Sequence, residues 1–263
     1  MHKHVTLLAL LEALKRKDKG FAYLETHAGR GAYHVNPAAP EVAQGIARFT
    51  ASAPRSDELR NFTQSIRDFR SQRAEPNFYP GSPLLAAHAL RRQDRAILSE
   101  LVAAEAAALH AEMRSHRNVR VERGDGFQRL AAWLPPLERR ALIFMDPPYE
   151  QNDDFARVRH TIADSLQRFS TGIYAAWFPI KNERSLRPWL ETLPRSLSRP
   201  ILLAQMWLYP RDSDLALNGS GLVIVNPPYL LAERMQEWLP ELQAVLSVGP
   251  GGGSETRLLS QRT

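Results

Sequence analysis

The segment ALIFMDPPY at residues 141–149 contains the residue types best suited to chemistry. Its five apolar residues predict a buried strand, and the prolines after Asp146 cannot continue a sheet ladder. Such a rigid loop could aim the Asp146 carboxylate and the Pro147 carbonyl at both N–H bonds of an adenine amine. The nitrogen lone pair would then face an electrophilic methyl group. Tyr149 could stack on the base, which must leave its own stack to enter the pocket. The alternative is a turn that only ends the strand.

A second segment of the same type, Asn226-Pro227-Pro228-Tyr229, follows the apolar run LVIV. Residue chemistry alone does not reject it, because an Asn oxygen can also accept an N–H bond. Position separates the two segments. The fourth strand should neighbour the first across the switch point of the sheet, and the last strand should lie farther out. We therefore expect Asn226 to be structural.

Acidic and small residues also follow the first three predicted strands. The first strand ends in ETHAGRG, where small residues allow a sharp turn and close approach to a ligand. Glu100 could accept hydrogen bonds from both hydroxyls of a ribose, or it could cap the next helix. Asp125 could accept from an adenine amino group beside Gly126, or the pair could form a plain turn. Together these positions indicate a ligand that resembles adenosine. The phosphate-binding patterns of dinucleotide-binding proteins and P-loop NTPases do not occur.

Seven short apolar runs alternate with segments that can form helices, which predicts a parallel sheet covered on both faces. In such a sheet the ligand binds beyond the carboxyl ends of the strands. Residues 1–263 are expected to form one domain, with an inserted helical subdomain at 36–80 and a flexible tail at 250–263. The predicted strands are Phe21–Glu25, Ala96–Glu100, Val119–Arg123, Ala141–Met145, Ile173–Phe178, Ile201–Leu208 and Leu222–Val225.

Composition narrows the class of protein further. The 34 Lys and Arg residues exceed the 28 Asp and Glu residues, giving a net charge of +6, which favours a polyanionic partner such as nucleic acid. No cysteine is present, so a disulfide framework, a thiolate metal site and a cysteine nucleophile are excluded. No clustered His and Asp set suggests a metal. No apolar run has the length of a membrane span, and we expect a cytoplasmic protein.

Arginine clusters are the candidate phosphate contacts, although such a cluster is more often a solvated face. Spacing of three residues puts the first cluster on one helix face within the insertion, which is the preferred candidate because it could overhang the site. The clusters are Arg67, Arg70 and Arg73; Arg91, Arg92 and Arg95; and Arg114, Arg117 and Arg120.

These residues together resemble a specific family, the bacterial 23S ribosomal RNA adenine-N6 methyltransferases named RlmJ. The similarity extends from about His4 to about residue 250. It is carried by KHV, YLETHAGRGAY, FYPGSPLLA, GDGFQRL, DPPYE, TGIYAAWFP and NPPY. The resemblance implies an α/β class I methyltransferase fold, Rossmann-like, with a seven-stranded mostly parallel sheet and a small helical insertion. It also implies S-adenosyl-L-methionine as cofactor, 23S ribosomal RNA as partner, no metal, no membrane and a monomer.

The resemblance assigns roles to individual positions, with Asp146 as the catalytic acid and with Pro147 and Tyr149 at the substrate. The implied cofactor contacts are His4, His27 and Ser82 at the methionine end, Glu100 at the ribose, Asp125 and Gly126 at the adenine, and Asp146 itself. Structural alternatives stand beside three of them. His4 could be a frayed terminal residue, His27 a satisfied turn residue, and Ser82 the cap of the helix that continues with Pro83.

The sequence departs from the family pattern at its start. Family members carry a further segment before KHV, with aromatic and basic residues that close over the cofactor and contact the RNA, whereas this sequence begins at Met1. Two alternatives stay open, of which the missing segment favours only the second. One is a DNA adenine-N6 methyltransferase, which shares the chemistry and the DPPY loop. The other is a nucleic-acid-binding protein without catalysis on the same fold. Comparing RNA with DNA substrates, and cofactor binding with methyl transfer, discriminates them.

Overall fold

The computed structural model describes residues 1–36, 40–151, 153–181, 183–211 and 217–259; the side chains at 40–44 and 185 are left out. Its centre is an eight-stranded sheet with the strand order β10-β8-β9-β7-β6-β1-β4-β5. A two-stranded sheet pairs β2 with β3. The strands are β1 (Ala22–Glu25), β2 (Ala32–His34), β3 (Phe78–Pro80), β4 (Arg95–Glu100), β5 (Val119–Arg123), β6 (Ala141–Met145), β7 (Ile173–Ile180), β8 (Ile201–Trp207), β9 (Gly219–Val225) and β10 (Gly253–Leu259).

Six strands of the main sheet run in one direction. β5, β4, β1, β6 and β7 pair in parallel. β9 is antiparallel to both β7 and β8, so β8 has the same direction as β7. β1 lies between β6 and β4, which confirms that the strand before Asp146 neighbours the first strand. The switch point therefore lies at β1, where chain connections leave to both sides.

Helices cover both faces of this sheet, as the alternation in the sequence predicts. One hydrophobic cluster joins the sheet to α1, α3, α4, α5 and α9, and a second joins the other face to α6, α7 and α8. The helices are α1 (His2–Lys15), α2 (Pro40–Ala51), α3 (Asp57–Arg73), α4 (Ser82–Ala89), α5 (Ala103–Glu112), α6 (Gly126–Trp133), α7 (Asp154–Arg168), α8 (Glu183–Leu197) and α9 (Leu231–Leu246). Among the described helices, none is long and apolar enough to cross a membrane.

The N-terminal helix α1 is buried more completely than its predicted amphipathic stripe implies. Val5, Leu7 and Leu10 have no exposed surface, and polar residues such as Thr6 are buried as well. The helix packs against α3, α4, α9 and β9, so neighbours surround it on several sides. This position brings the first residues of the chain close to the centre of the sheet.

The end of the chain differs from the sequence-based expectation. We expected seven strands and a flexible tail from 250 to 263, but Gly253–Leu259 forms an eighth strand, β10, antiparallel to β8. Gly251, at φ +91°, lies against Pro210 and admits the tight turn into this strand. The tail prediction is therefore wrong for 253–259, and its last four residues lie outside the described ranges. Pairing with an existing sheet edge gives these residues order that their own sequence does not.

The interval 36–80 contains α2, α3, β3 and their connections, and residues 37–39 lie outside the described ranges. α3 buries Leu59, Phe62 and Ile66 in the hydrophobic cluster that also includes α1. The helical content expected from the sequence is present. That the interval is a distinct inserted subdomain of one domain stays a prediction.

Candidate active site

Asp146 lies at the carboxyl end of β6, in the centre of the main sheet. All five residues of β6 are buried, and the strand sits between β1 and β7. The backbone N–H of Thr26 donates to the Phe144 carbonyl at 3.1 Å, which fixes the chain after β1 beside the chain after β6. The side chain of Asp146 keeps 13% of its surface exposed. A partly desolvated carboxylate therefore sits at the edge where ligands bind in such sheets.

Lys3 forms an ion pair with Asp146 that the motif analysis did not predict. Lys3 Nζ donates to Asp146 Oδ2, and the ammonium lies 5.1 Å from the centre of the Trp177 ring. Among the described residues, Asp146 Oδ1 has no hydrogen-bond donor. Lys3 thus holds one carboxylate oxygen and leaves the other as an acceptor. In the sequence, KHV indicates only similarity to the family. No spacing pattern predicts a contact between Lys3 and a residue 143 positions away.

Tyr149 anchors the loop that follows Asp146. Its hydroxyl donates to the Trp177 carbonyl at 2.5 Å, and its ring packs against Phe155 at a centroid distance of 4.6 Å. Only 7% of the residue is exposed, because it belongs to the hydrophobic cluster beneath β7. Burial and the nearby Asp146 carboxylate raise the pKa of the Tyr149 hydroxyl well above its usual value. Base stacking by Tyr149 stays a prediction, and it requires a ring face that this packing largely covers.

His27 lies among three of the predicted acidic residues. Asp146, Asp125 and Glu100 are all close enough to favour its charged form, in that order of strength. Burial outweighs them and lowers the pKa of His27, which keeps the imidazole neutral at pH 7. The ring lies 4.6 Å from the Phe127 ring, and Nδ1 contacts Thr26 Oγ1 at 2.8 Å. The ends of β1, β4, β5 and β6 therefore bring their polar residues together, as the sequence predicts.

Glu100 and Asp125 are both fixed by backbone N–H groups. The Glu100 carboxylate accepts from Gly29 N and from Val102 N, each at 2.8 Å. Asp125 caps α6 by accepting from Phe127 N at 2.9 Å, and its other oxygen accepts from Arg157 at 3.1 Å. The plain turn expected as the alternative for Asp125 is thus a helix cap, whereas Glu100 bonds the N-cap residue of α5 and does not itself cap the helix. Fixed carboxylates still have lone pairs left, because each oxygen can accept more than one hydrogen bond.

Gly126 occupies a position where no side chain fits. A Cβ there would lie 2.0 Å from the Thr26 carbonyl oxygen, so the chain after β1 and the start of α6 touch through backbone alone. Gly29 has a φ of +62°, in the left-handed region that glycine adopts without strain. These two glycines keep the backbone after β1 and at the start of α6 free of side chains, and the Gly29 N–H is engaged by Glu100.

Glu25, at the end of β1, is a buried carboxylic acid beside Asp146. Ser82 Oγ donates to Glu25 Oε1, which places the predicted Ser82 at this end of the site. Burial raises the pKa of Glu25 to about 8, so the group is mostly protonated at neutral pH. Glu25 Oε2 and the Tyr23 hydroxyl are buried close to each other, and each affects the pKa of the other. They form a buried polar pair beside the site that a polar ligand group can join.

His4 is not part of this group of acidic residues. Its ring is buried, with Nδ1 at 2.8 Å from the Tyr79 hydroxyl and the ring 6.3 Å from that of Phe62. Burial lowers the pKa of His4 well below its usual value. The expected cofactor contact of His4 stays a prediction, and the described contacts are those of a residue packed between α1 and α3.

The structure assigns structural roles to the arginines first favoured for phosphate binding. Arg70 donates to the Phe78 carbonyl at 2.9 Å, and Arg67 donates to the Thr50 carbonyl at 3.4 Å. Arg73 pairs with Glu112 and lies 4.3 Å from the Phe78 ring. These side chains hold α3 against its neighbours, which is the alternative that the sequence left open.

The residues present suit a ligand with adenosine and amino acid parts. Carboxylates at the ends of the four adjacent strands β6, β1, β4 and β5 offer acceptors for hydroxyl and amino groups, and glycines admit close backbone contact. The buried pair of Glu25 and Tyr23 offers further polar groups. Among the described residues, no three His, Asp or Glu side chains are arranged to hold a metal ion.

Known proteins share this architecture over nearly the whole chain. The chain is 37% identical to Ribosomal RNA large subunit methyltransferase J of Haemophilus influenzae over 258 residues, which is 97% of this chain and 92% of that protein. It is also 37% identical to the protein of the same name from Escherichia coli, with 97% and 91% covered. A crystal structure of a Legionella pneumophila protein superposes with a TM-score of 0.87 at 32% identity, covering 98% of this chain and 95% of that one.

The strand order and the carboxylates at the strand ends define a class I, Rossmann-like methyltransferase fold. A family model described as "Ribosomal RNA large subunit methyltransferase D, RlmJ" matches residues 18–258. The chain belongs to this family. Membership confirms the resemblance identified from the sequence motifs, and the protein is a methyltransferase.

Proposed function

We propose that the protein transfers a methyl group from S-adenosyl-L-methionine to the exocyclic N6 amine of an adenine in large-subunit (23S) ribosomal RNA. The observation that carries this proposal is Asp146, held on a rigid Pro-Pro loop with one carboxylate oxygen unengaged at the switch point. The names of the relatives support ribosomal RNA over DNA as the substrate. The excess of cations over anions supports a nucleic acid partner.

When bound, S-adenosyl-L-methionine supplies an electrophilic methyl group. Glu100 is placed to accept from ribose hydroxyls, and Asp125 and Gly126 line the position proposed for the adenine. The amino acid part would lie near Ser82 and the buried pair of Glu25 and Tyr23. His27, expected at this same methionine end, is neutral, so it offers a hydrogen bond without adding a positive charge near a sulfonium.

The chain's own contribution to the chemistry is to orient the amine. Asp146 Oδ1 and the Pro147 carbonyl accept its two N–H bonds, and this favours a tetrahedral nitrogen with its lone pair directed away from the loop. Lys3 keeps Asp146 in place by holding Oδ2. Rate enhancement of this kind comes from positioning the reactants. The methylated ammonium product is acidic and loses its proton readily, so a strong base is unnecessary.

Asp146→Asn is the matched test, because the amide keeps the size of the side chain and loses the carboxylate. Purified large-subunit ribosomal RNA, duplex DNA and labelled S-adenosyl-L-methionine are the reactants, and label in N6-methyladenine is measured. We expect label on RNA with the parent protein and a loss of about 100-fold or more in the variant. Unchanged cofactor binding and unchanged thermal unfolding in the variant show that the loss is chemical.

Three other outcomes would change the conclusion. Label on DNA and none on RNA would identify a DNA methyltransferase. Cofactor binding without transfer to either substrate would indicate a binding protein. Equal activity of the Asp146→Asn variant would remove Asp146 from the mechanism. We also propose a monomer, which sedimentation of the purified protein tests directly.

A further inference from the structure

The edge of the sheet opposite the candidate active site is lined with arginine and lysine. Each of the six strands that share one direction begins at this amino edge, and each is preceded within five residues by an exposed cation. These cations are Lys19 before β1, Arg92 before β4, Arg117 before β5, Arg139 before β6, Arg168 before β7 and Arg199 before β8. We call this set the amino-edge cations.

The amino-edge cations are available for a partner. Within the described ranges, none of the six side chains has a hydrogen bond or an ion pair with the protein. This distinguishes them from Arg67, Arg70 and Arg73, which hold α3 in place. It also distinguishes them from Arg91 and Arg140, which lie at the same edge and donate to the Lys17 and Lys19 carbonyls after α1.

Few acidic residues offset this charge. Asp94 is buried and paired with Arg91, and Glu138 is paired with Arg95, so both are already neutralised. The exposed acids nearest in the chain to the six cations are Asp18, Asp164, Glu12, which pairs with Lys15, and Glu191, which pairs with Arg187. Burial and the neighbouring Arg91 lower the pKa of Arg140, as expected where cations crowd together.

An exposed aromatic residue lies within the same edge. β9 runs against the other strands, so its carboxyl end, with Asn226-Pro227-Pro228-Tyr229, reaches the amino edge. Asn226 Nδ2 donates to the Ser170 and Gly172 carbonyls at 3.0 and 2.8 Å, and Asn226 N donates to the Pro200 carbonyl at 3.0 Å. These bonds hold the segment between the loop that follows Arg168, the last residue of α7, and the loop that contains Arg199. Tyr229 is 81% exposed, the most exposed aromatic side chain of the described residues.

The two Pro-Pro-Tyr segments thus end at opposite edges and differ in exposure. Tyr149 is buried with its hydroxyl bonded, and Tyr229 is open to solvent on a loop fixed by Asn226. The contacts of Asn226 hold the turn in place, which is the structural role expected for this residue. Asn226 fixes the turn without the Tyr229 ring. A large aromatic ring exposed between cations is the arrangement that stacks on an unpaired base.

We propose that the amino edge is a second RNA-binding surface, on which the six cations contact phosphates and Tyr229 stacks on an unpaired base. The surface spans six strand intervals, about 29 Å at about 4.8 Å each, long enough for several successive phosphates. It would hold a segment of the substrate RNA remote from the adenine being methylated. The inference rests on the proposed function, because it takes RNA as the substrate.

A matched pair of triple variants tests this surface. The amino-edge variant carries Lys19→Gln, Arg92→Gln and Arg139→Gln. The control carries Arg60→Gln, Arg187→Gln and Arg257→Gln, which removes the same charge from exposed positions on α3, α8 and β10. Tyr229→Ala forms a third protein. Direct RNA binding is measured by filter retention against salt, and methyl transfer is measured on full-length RNA and on a short RNA around the target adenine.

We expect the amino-edge variant to bind full-length RNA roughly tenfold more weakly, with a salt slope reduced by about two, because three phosphate contacts are lost. Its KM for full-length RNA should rise while kcat stays the same, and the short RNA should react as with the parent. Tyr229→Ala should weaken binding about fivefold or more without changing the salt slope. The control should show neither the KM change nor the full loss of affinity.

Equal losses in the amino-edge variant and the control would overturn the proposal, because only total charge would then matter. A loss of kcat on the short RNA would overturn it as well, since that result indicates damage to the active site. If the parent protein methylates RNA and the amino-edge variant binds RNA as tightly as the parent, this surface is refuted and the proposed function stands. Binding through the amino edge without methyl transfer would support the surface and refute the proposed function.

Discussion

Glu25 shows how one residue can affect the whole protein through its protonation. It has no exposed surface and accepts from Ser82, with Asp146 nearby. Its pKa of about 8 in the folded protein lies above the ordinary value of 4.5. Between these values the folded state binds more protons than the unfolded state. The free energy of unfolding therefore falls as pH rises from about 5 to 8, and Glu25 has no such effect below its ordinary pKa.

Glu25→Gln should remove this fall. Because the amide stays neutral, the variant should gain stability relative to the parent as pH rises from 5 to 8, by on the order of 2–4 kcal/mol at the upper end. Urea unfolding followed by tryptophan fluorescence across this range measures the difference. Glu105→Gln is the control, because its pKa is lowered by Arg30 and its titration lies below the window. A constant difference between parent and Glu25→Gln would contradict a raised pKa.

Residue types predicted which residues meet at the candidate site better than they predicted the contacts that those residues make. Asp146, Glu100, Asp125 and Gly126 could be named because each follows a strand, and strand ends meet at one edge. Lys3 and Arg157 could not be named in the same way, because their contacts depend on how α1 and α7 pack. A charge on a distant helix leaves no local signal beside the residue with which it pairs.

At the scale of elements, the main strands follow directly from apolar runs, because each buried parallel strand needs a continuous apolar segment. β5 and β6 have the predicted bounds, and β1, β4, β7, β8 and β9 differ from the predictions by one to three residues at an end. β10 could not be predicted in this way. Its residues are partly exposed and follow a glycine-rich turn, and the strand exists because β8 offers an unpaired edge.

Deleting residues 253–263 should expose the edge of β8, where Ile201 and Leu203 are buried. We expect a lower melting temperature and concentration-dependent aggregation, because an uncovered apolar edge strand pairs with other chains. Differential scanning calorimetry and light scattering measure the two effects. The control is a chain that lacks only residues 260–263 and keeps all of β10. If both shortened chains melt at the parent's temperature without aggregating, β10 contributes nothing to the sheet.

At the scale of the whole molecule, two hydrophobic clusters lie on opposite faces of one sheet. Trp238 is fully buried in the cluster with α1 and α9, and Trp189 is buried in the cluster with α7 and α8. Every central strand contributes side chains to both faces. Loss of either helical layer would leave one face of these strands in water, so the two layers should unfold together.

Two variants that each keep a single tryptophan, Trp238 or Trp189, report on the two faces separately. We expect their fluorescence to change at the same urea concentration, and circular dichroism to change there as well, because a single cooperative domain unfolds in one transition. The parent protein, measured by circular dichroism alone, controls for stability lost through the substitutions. Midpoints that differ between the two faces would divide residues 1–263 into separate cooperative units.

The packing of α1 also makes assembly of the candidate active site depend on segments that are synthesised late. His2 contacts Ser220 at 3.1–3.2 Å and lies 6.0 Å from the Trp238 ring, so the start of the chain packs against segments made near its end. Lys3 reaches Asp146 from this same helix. A nascent chain that still lacks β9 and α9 does not offer α1 its complete packing surface. Such a chain therefore cannot yet hold Lys3 on Asp146. Synthesis of β9 and α9 and assembly of the candidate active site are thereby coupled through one helix.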